Sequence, residues 1–384
     1  MKFLKKYFEK GGKLEYFFPI FEMVDTILFA TDKQTKSGPH IRDNIDLKRA
    51  MTMVIIALIP AVIFGIINTG YQQAQALGIE RGWIDNLFVG MGYFLPILIV
   101  SYAAGGFWEI LFALVRKHEV DEGFFVTGLL IPLIVPATIP LWQVAVATSF
   151  GVVIGKMIFG GTGMNIFNPA LTARAFLFFS YPGNISGDLV WIAGADGYSG
   201  ATALSVSASQ EGANAVSLLT EMTQFDYSWW NLFMGWVPGS IGETSALMIL
   251  IGAAFLIVTK IGSWRIMTGS VIGLVGTSLF TNMFSDYSTN TMLSLTPHYH
   301  LVMGGFLFGT VFMATDPVTA AFTNRGRWIY GIMIGLLTVV IRSANPAYPE
   351  GTMLAILLMN AFSPLIDHFV VQGNIKRRVA RYAK

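Results

Sequence analysis

Long apolar segments dominate this sequence and decide what it can fold into. About ten of them, most near the ~20 residues that an α-helix needs to cross a bilayer, fill most of the chain after residue 50. Of the 384 residues, 54% are hydrophobic and only 12% are charged, against ~25% charged in soluble domains. Because backbone polar groups in lipid must be paired within the protein, the pattern predicts an all-α integral membrane protein.

The apolar segments form two groups of five with a more polar region between them. We expect spans near 51–69, 86–115, 123–137, 139–159 and 164–181, and then near 244–262, 266–284, 300–314, 328–342 and 351–371. This predicts an N-terminal arm 1–50, a first five-helix group 51–181, a loop region 182–243, a second five-helix group 244–371 and a basic tail 372–384. The basic start of the arm is not a cleavable signal peptide; its aromatic part either lies at the membrane interface or packs on partner subunits.

Lysine and arginine are concentrated in the arm, in the tail and in short loops that fall on one side if the spans alternate. No Lys or Arg occurs between Arg174 and Lys260, or in the loop 285–299. By the positive-inside rule, both termini are cytoplasmic and the 182–243 region lies on the outer side. The net charge of +2 gives no indication of nucleic-acid binding.

Short sequence matches relate the two groups of spans. Gly123-Phe124-Phe125 precedes Asn168-Pro169-Ala170, and Gly305-Phe306-Leu307 precedes Asn345-Pro346-Ala347 at a similar interval. An odd number of spans in each group would place the second repeat upside down relative to the first. The sequence therefore predicts about ten transmembrane helices arranged as two inverted five-helix repeats.

The 182–243 region contains a stretch of small residues, Asp196-Gly-Tyr-Ser199-Gly200-Ala201-Thr202. Glycine and small side chains permit tight turns and leave the Thr202 hydroxyl open to another molecule. The nearest histidines in sequence are His118 and His298, which argues against a hydrolase triad. The stretch resembles the D-x-x-S-G-A-T acceptor motif of flavin transferases, which attach FMN to a threonine through its phosphate. That resemblance implies covalent FMN on Thr202, with Asp196, Ser199, Gly200 and Ala201 as the attachment motif.

Few polar side chains interrupt the spans. Asn165, Asn168, Thr172 and Arg174 either accompany a helix break or line a cavity for a flavin. Of three acids in or beside spans, Asp316 precedes Pro317 and is either a helix cap or an oxygen ligand for a hard cation such as Na+, while Asp367 either lies at the interface or binds the same ion. The absence of cysteine excludes thiolate-ligated iron–sulfur clusters and disulfides within this chain.

The whole chain resembles the B-subunit family of Na+-translocating NADH:quinone oxidoreductases. Besides the Thr202 motif, the residues that carry the resemblance are the stretches Gly105 to Glu109, Val115 to Thr127, Phe159 to Ala170, Pro238 to Glu243, Ala314 to Pro317, Asn345 to Gly351 and Asn374 to Arg378.

The resemblance implies one subunit of a six-subunit respiratory complex in the bacterial inner membrane, matured by a flavin transferase. Covalent FMN and noncovalent riboflavin would pass electrons to ubiquinone, coupled to Na+ export. The family's quinone region corresponds to Gly105, Gly106 and Glu109, and its acids to Glu109, Asp316 and Asp367 as Na+ ligands.

Two alternatives stay open at this point. The D subunit of the Rnf ferredoxin:NAD+ complex shares the fold and the flavinylated threonine, although the basic arm and the quinone region favour the first family. A solute channel built from inverted five-helix repeats, such as a urea channel, would have no use for the S-G-A-T motif.

Overall fold

The computed structural model describes residues 7, 47–116, 123–195, 197–209, 212, 214–221, 224–344 and 350–382, and the regular structure in these ranges is helical. The first group of helices is α1 Leu47–Leu77, α2 Trp83–Arg116, α3 Gly123–Leu133, α4 Leu141–Gly155 and α5 Pro169–Ser180. The 182–243 region contains α6 Pro182–Ile185, α7 Ala203–Ser207, α8 Ala215–Glu221 and α9 Trp229–Met234. The second group is α10 Ala246–Val258, α11 Trp264–Asn282, α12 Pro297–Val302, α13 Phe306–Phe308, α14 Asn324–Ala344 and α15 Thr352–Tyr382.

The structure confirms an all-α protein with helices suited to a bilayer. Within the described ranges, five helices are long and apolar enough to cross a membrane, and α3 and α10 are shorter apolar helices. Helix α2 is continuous through Gly105-Gly106, so the long second span is not broken there. Helix α15 runs to Tyr382, so the basic tail extends a helix instead of forming a separate segment. Nearly all of the predicted arm 1–50 lies outside the described residues.

The third element of each group is interrupted. The sequence predicted short spans there, near 123–137 and 300–314, but not the breaks. Helix α3 ends at Leu133, and the predicted span near 300–314 is divided into α12, α13 and a π-helical turn, Gly309–Met313. The backbone groups released at the first break are paired: the Gly242 N–H donates to the Leu133 carbonyl at 2.7 Å. At the second break, the Asn360 side chain donates to the Thr319 carbonyl at 3.3 Å. Such pairing is what allows irregular backbone inside a membrane protein.

Glycines set a close helix contact between α11 and α14. A Cβ added at Gly273 would lie 2.1 Å from the Ile332 carbonyl oxygen, and one at Gly335 would lie 2.0 Å from the Ser270 carbonyl oxygen. Each helix repeats glycine at an interval of four, with Gly269 and Gly331 as the other members. This small-residue spacing lets two backbones approach closely, which is how helices associate in lipid.

The 182–243 region is a packed helical unit, where the sequence predicted a loop region. Its apolar core includes Leu204, Leu219 and Tyr227 and is shared with Met292 and Leu295. It is tied to the 285–296 stretch, because the Gly212 N–H donates to the Thr289 carbonyl at 2.7 Å and the Ala215 N–H donates to the Ser294 hydroxyl at 2.8 Å. The two long stretches without Lys or Arg therefore lie side by side, as expected if they face the same side of the membrane.

Candidate functional site

Thr202 is the N-cap of helix α7 and is half-buried. Its hydroxyl oxygen accepts a hydrogen bond from the Ser205 N–H at 3.3 Å. N-cap hydroxyls are held by the backbone they cap, so the Thr202 Oγ1 has a defined position. Two glycines of the preceding turn are needed sterically: Gly197 has φ +73°, and a Cβ at Gly200 would lie 2.8 Å from the Ile192 side chain. Asp196 lies outside the described residues.

Three residues from neighbouring segments fix the motif, two through their side chains and one through its backbone carbonyl and its carboxylate. The Gln224 amide donates to the Ser199 carbonyl at 2.9 Å, and the buried Tyr227 hydroxyl donates to the Ala201 carbonyl. Asp188 accepts the Gly200 N–H on its backbone carbonyl at 2.7 Å and the Ser205 hydroxyl on its carboxylate at 3.1 Å. Burial, with Asp188 and Tyr198 nearby, raises the pKa of Tyr227 well above its usual range, so the hydroxyl stays protonated and remains a donor.

A cavity of about 350 Å³ opens beside Thr202, and we call it the Thr202 cavity. It is walled by apolar side chains from three parts of the chain, including Phe178, Trp191 and Val302. Its polar lining includes Arg174 and Glu243 as well as Thr202. Arg174 was predicted from its position in an apolar span to line a flavin cavity, and the structure brings it to the same cavity as Thr202.

A buried ion pair forms the charged part of this cavity. Arg174 donates to a Glu243 carboxylate oxygen at 2.5 Å, and both side chains are more than nine-tenths buried. Glu350 also lines the cavity and accepts the Gly305 N–H at 3.0 Å. An arginine and a carboxylate this deep in a protein are stable only as partners, because each alone would be a desolvated charge.

The other three residues of the predicted flavin cavity lie elsewhere. Asn165 and Asn168 line a second cavity of about 60 Å³, together with Lys156 and Asp316; we call it the Asp316 cavity. Asn168 caps α5 by accepting the Ala170 and Leu171 N–H groups, and its own N–H lies 3.4 Å from the Asn360 side-chain oxygen. Thr172 donates to the Asn168 carbonyl at 2.9 Å and lines neither cavity. Helix α5 thus has Asn168 at one cavity and Arg174 at the other.

In the predicted quinone region, Gly105 and Glu109 share the buried face of α2, whereas Gly106 is half-buried. A Cβ at Gly105 would lie 2.2 Å from the Phe124 ring, while one at Gly106 would lie 3.8 Å from it. Glu109 accepts a hydrogen bond from the Lys156 ammonium at 2.5 Å, and both side chains are at least 96% buried. This lysine partner was not predicted.

The three predicted Na+ ligands do not converge. Asp316 lines the Asp316 cavity, and its oxygens accept from the Val318 N–H at 3.2 Å and the Thr319 hydroxyl at 3.0 Å. Asp367 accepts the N–H groups of Phe322 and Thr323 just before α14, at 2.6 and 3.0 Å. In the part of the chain that the structure describes, no three His, Cys, Asp or Glu side chains come together as a metal-binding group.

Four further charged residues were missed by sequence reasoning: Lys156, Glu243, Glu350 and Arg342. Arg342 is fully buried and donates to the carbonyls of His300 and Met303 at 2.8 and 2.9 Å. The available signal was charge in an apolar setting, since each of these residues lies within or directly beside an apolar segment. We did not predict these residues as site residues, because the sequence pattern assigned them to loops or to the ends of helices.

These features define a polytopic helical membrane protein in which the packed 182–243 unit holds a capped threonine at the mouth of a cavity with a buried ion pair. A family model described as "NQR2, RnfD, RnfE family" matches residues 34–376, and the chain belongs to this family. It is 54% identical to the B subunit of the Na(+)-translocating NADH-quinone reductase of Chromohalobacter salexigens, covering 99% of this chain and 95% of the relative. It is 50% identical to the protein of the same name in Yersinia pestis, covering 98% of this chain and 97% of the relative.

Proposed function

We propose that this chain is the membrane subunit of a bacterial Na+-translocating NADH:quinone reductase that carries FMN on Thr202 through a phosphoester. The observation that supports this most is the position of Thr202: its hydroxyl is fixed by an N-cap hydrogen bond at a cavity of about 350 Å³. The family membership and the names of relatives at 50–54% identity supply the reaction. In that reaction NADH gives up two electrons, and a quinone takes up two electrons and two protons.

The residues present fit a flavin at this position. The Thr202 cavity combines apolar walls with charged and hydroxyl groups, which is the composition of sites for aromatic cofactors. FMN, when bound, supplies one- and two-electron transfer. The protein holds the attachment point through Asp188, Gln224 and Tyr227, excludes water with Phe178 and Trp191, and places Arg174 and Glu243 against the ligand.

The remaining family roles are proposed for other parts of the described structure. The quinone would contact α2 at Gly105, Gly106 and Glu109. Asp316 is the most suitable of the three acids for Na+, because it lines a cavity. Glu109 is already paired with Lys156, and the Asp367 carboxylate already accepts a hydrogen bond from the backbone before α14. The noncovalent riboflavin would lie beside Asn165 and Asn168 but outside that cavity, which at about 60 Å³ is too small for it, and other subunits would complete its site.

The proposal includes the setting that the family implies. The chain would work with five other subunits in the bacterial inner membrane, after a flavin transferase has modified Thr202 on the outer side. The Rnf D subunit belongs to the same matched family. Full-length identity to reductase subunits favours the reductase, and the relatives' names leave the solute-channel alternative without support.

The experiment is expression of the complex with its transferase, carrying either Thr202 or the Thr202→Ala substitution. Denatured wild-type subunit should give a fluorescent band in a gel, and the variant should give none. The variant complex should assemble but lose Na+-stimulated quinone reduction. A fluorescent band of equal intensity in the Thr202→Ala subunit would refute the attachment site.

A further inference from the structure

We propose that Arg174, Glu243 and Thr244 form a polar corner of the Thr202 cavity that binds the pyrimidine edge of the isoalloxazine ring. This rests on the proposed attachment of FMN to Thr202 and adds which protein groups set the orientation and reduction potential of that flavin. We call these three residues the polar corner.

The hydrogen-bonding pattern of the polar corner matches that edge. The pyrimidine edge presents two carbonyl acceptors on either side of one N–H donor. Arg174 contributes guanidinium donors, and Glu243 contributes carboxylate acceptors at 2.5 Å from them. A donor and an acceptor fixed side by side can therefore bind a carbonyl and the neighbouring N–H of the same ring.

An unpartnered hydroxyl points to a ligand at this corner. Thr244 is only 7% exposed and lines the cavity, yet its Oγ1 has no hydrogen-bond partner among the described residues. A buried hydroxyl without a partner costs about 1–3 kcal/mol, so such groups are normally satisfied. Because Thr244 lines the cavity, rotation of its side chain about the Cα–Cβ bond would let this hydroxyl donate to a ligand carbonyl there.

Glycines bring the carboxylates up to the polypeptide backbone and leave the cavity open. A Cβ at Gly305 would lie 2.5 Å from a Glu243 oxygen, and one at Gly304 would lie 2.4 Å from a Glu350 oxygen. The remaining walls, which include Phe178, Trp191 and Leu232, are apolar. A flat aromatic ligand with one polar edge suits this surface.

The charges at the corner predict opposite effects on the flavin. Reduction adds electron density to the pyrimidine edge, so a guanidinium beside it stabilises the reduced form and a carboxylate opposes it. Arg174→Gln should therefore lower the midpoint potential of the Thr202 flavin, and Glu243→Gln should raise it. Thr244→Val, which removes only a hydrogen bond, should lower it.

The test is spectroelectrochemical titration of the whole purified complex, with the spectrum of Thr202→Ala complex subtracted to isolate this flavin. We expect about a tenfold change in the reduction equilibrium for Arg174→Gln and Glu243→Gln, about 30 mV for a two-electron couple. Thr310→Val is the matched control, because Thr310 is 1% exposed and its hydroxyl also lacks a partner among the described residues, but it does not line the cavity. It should leave the potential unchanged.

Gel fluorescence of each denatured subunit separates the two proposals. Absence of the covalent flavin from wild type would refute the attachment itself. Covalent flavin in all variants, with potentials equal to wild type or shifted in the same direction by Arg174→Gln and Glu243→Gln, would refute the polar corner. If Arg174→Gln fails to assemble, Thr244→Val and Glu243→Gln carry the test with the same opposite signs.

Discussion

At the scale of single residues, two ion pairs join buried charges from distant parts of the chain. Lys156, directly after α4, pairs with Glu109 of α2, and Arg174 of α5 pairs with Glu243 before α10. Each pair lies at a cavity or beside a predicted ligand region. Charges in such places are costly, and the pairing explains how the fold tolerates them.

Lys156→Met should destabilise the subunit strongly, by about 3–5 kcal/mol, because it leaves the Glu109 carboxylate buried without its cation. Adding Glu109→Gln to that variant should restore much of the loss, since the uncompensated charge is then removed. The thermal unfolding midpoint of the purified complex measures both effects. Lys376→Met, at an exposed position of α15, is the control and should change little. No recovery in the double variant would contradict this account of the pair.

Sequence alone located individual residues better than it located their partners. Thr202 and Arg174 could be singled out because small residues around a hydroxyl, and a charge in an apolar span, are local signals; the role of Thr202 as an attachment site came from the resemblance and stays a proposal. Glu243 was not, because it is 69 residues from Arg174 and only the fold brings them together. The same separation in sequence concealed Lys156 from Glu109. Arg174 also proved to belong to a different cavity from Asn165 and Asn168, since one helix presents them at different heights.

At the scale of elements, the apolar segments predicted helices well and predicted interruptions poorly. Helix α2 continues through Gly105 and Gly106. Gly105 leaves room for the Phe124 ring to pack on α2, and it does not bend the helix. The span predicted near 300–314 is broken. Hydropathy measures how apolar a segment is, so it does not show where a backbone hydrogen bond of a helix is replaced by one to a side chain. The 182–243 region, predicted as loop, is helical because it packs in an apolar core with residues near 292–303, and local sequence does not reveal that distant contact.

The two glycines of α2 should respond differently to the same change. Gly105→Ala should displace Phe124 and cost about 1–3 kcal/mol, because its Cβ would lie 2.2 Å from that ring. Gly106→Ala should be neutral or stabilising, since its Cβ would have only an ordinary contact at 3.8 Å. The thermal unfolding midpoint of the purified complex measures both effects. Equal effects of both substitutions on stability would contradict the packing of α2.

At the scale of the whole molecule, the Asn168–Asn360 contact and the close approach of Gly252 in α10 to the Ala57 carbonyl of α1 place the two helix groups against each other. This arrangement suits the predicted inverted repeat, which stays a prediction because opposite orientation in the membrane requires a topology measurement. The two stretches without Lys or Arg pack together, and the basic tail continues α15. The positive-inside rule places these two parts on opposite sides of the membrane.

Single-cysteine labelling can test that topology cleanly, because the natural chain has no cysteine. Tyr287→Cys and Tyr382→Cys are matched positions, with side chains that are 88% and 92% exposed. A membrane-impermeant maleimide should label Tyr287→Cys in intact cells and label Tyr382→Cys only after permeabilisation. Labelling of both positions in intact cells would contradict cytoplasmic termini.

The most direct measurement is tandem mass spectrometry of the peptide that contains residues 188–209, prepared from the native complex. We predict a mass increase equal to FMN minus one water, with fragment ions that place it on Thr202 and not on Ser199 or Ser205. An unmodified Thr202 peptide, from cells that contain the flavin transferase, would contradict the central claim that this threonine carries the flavin.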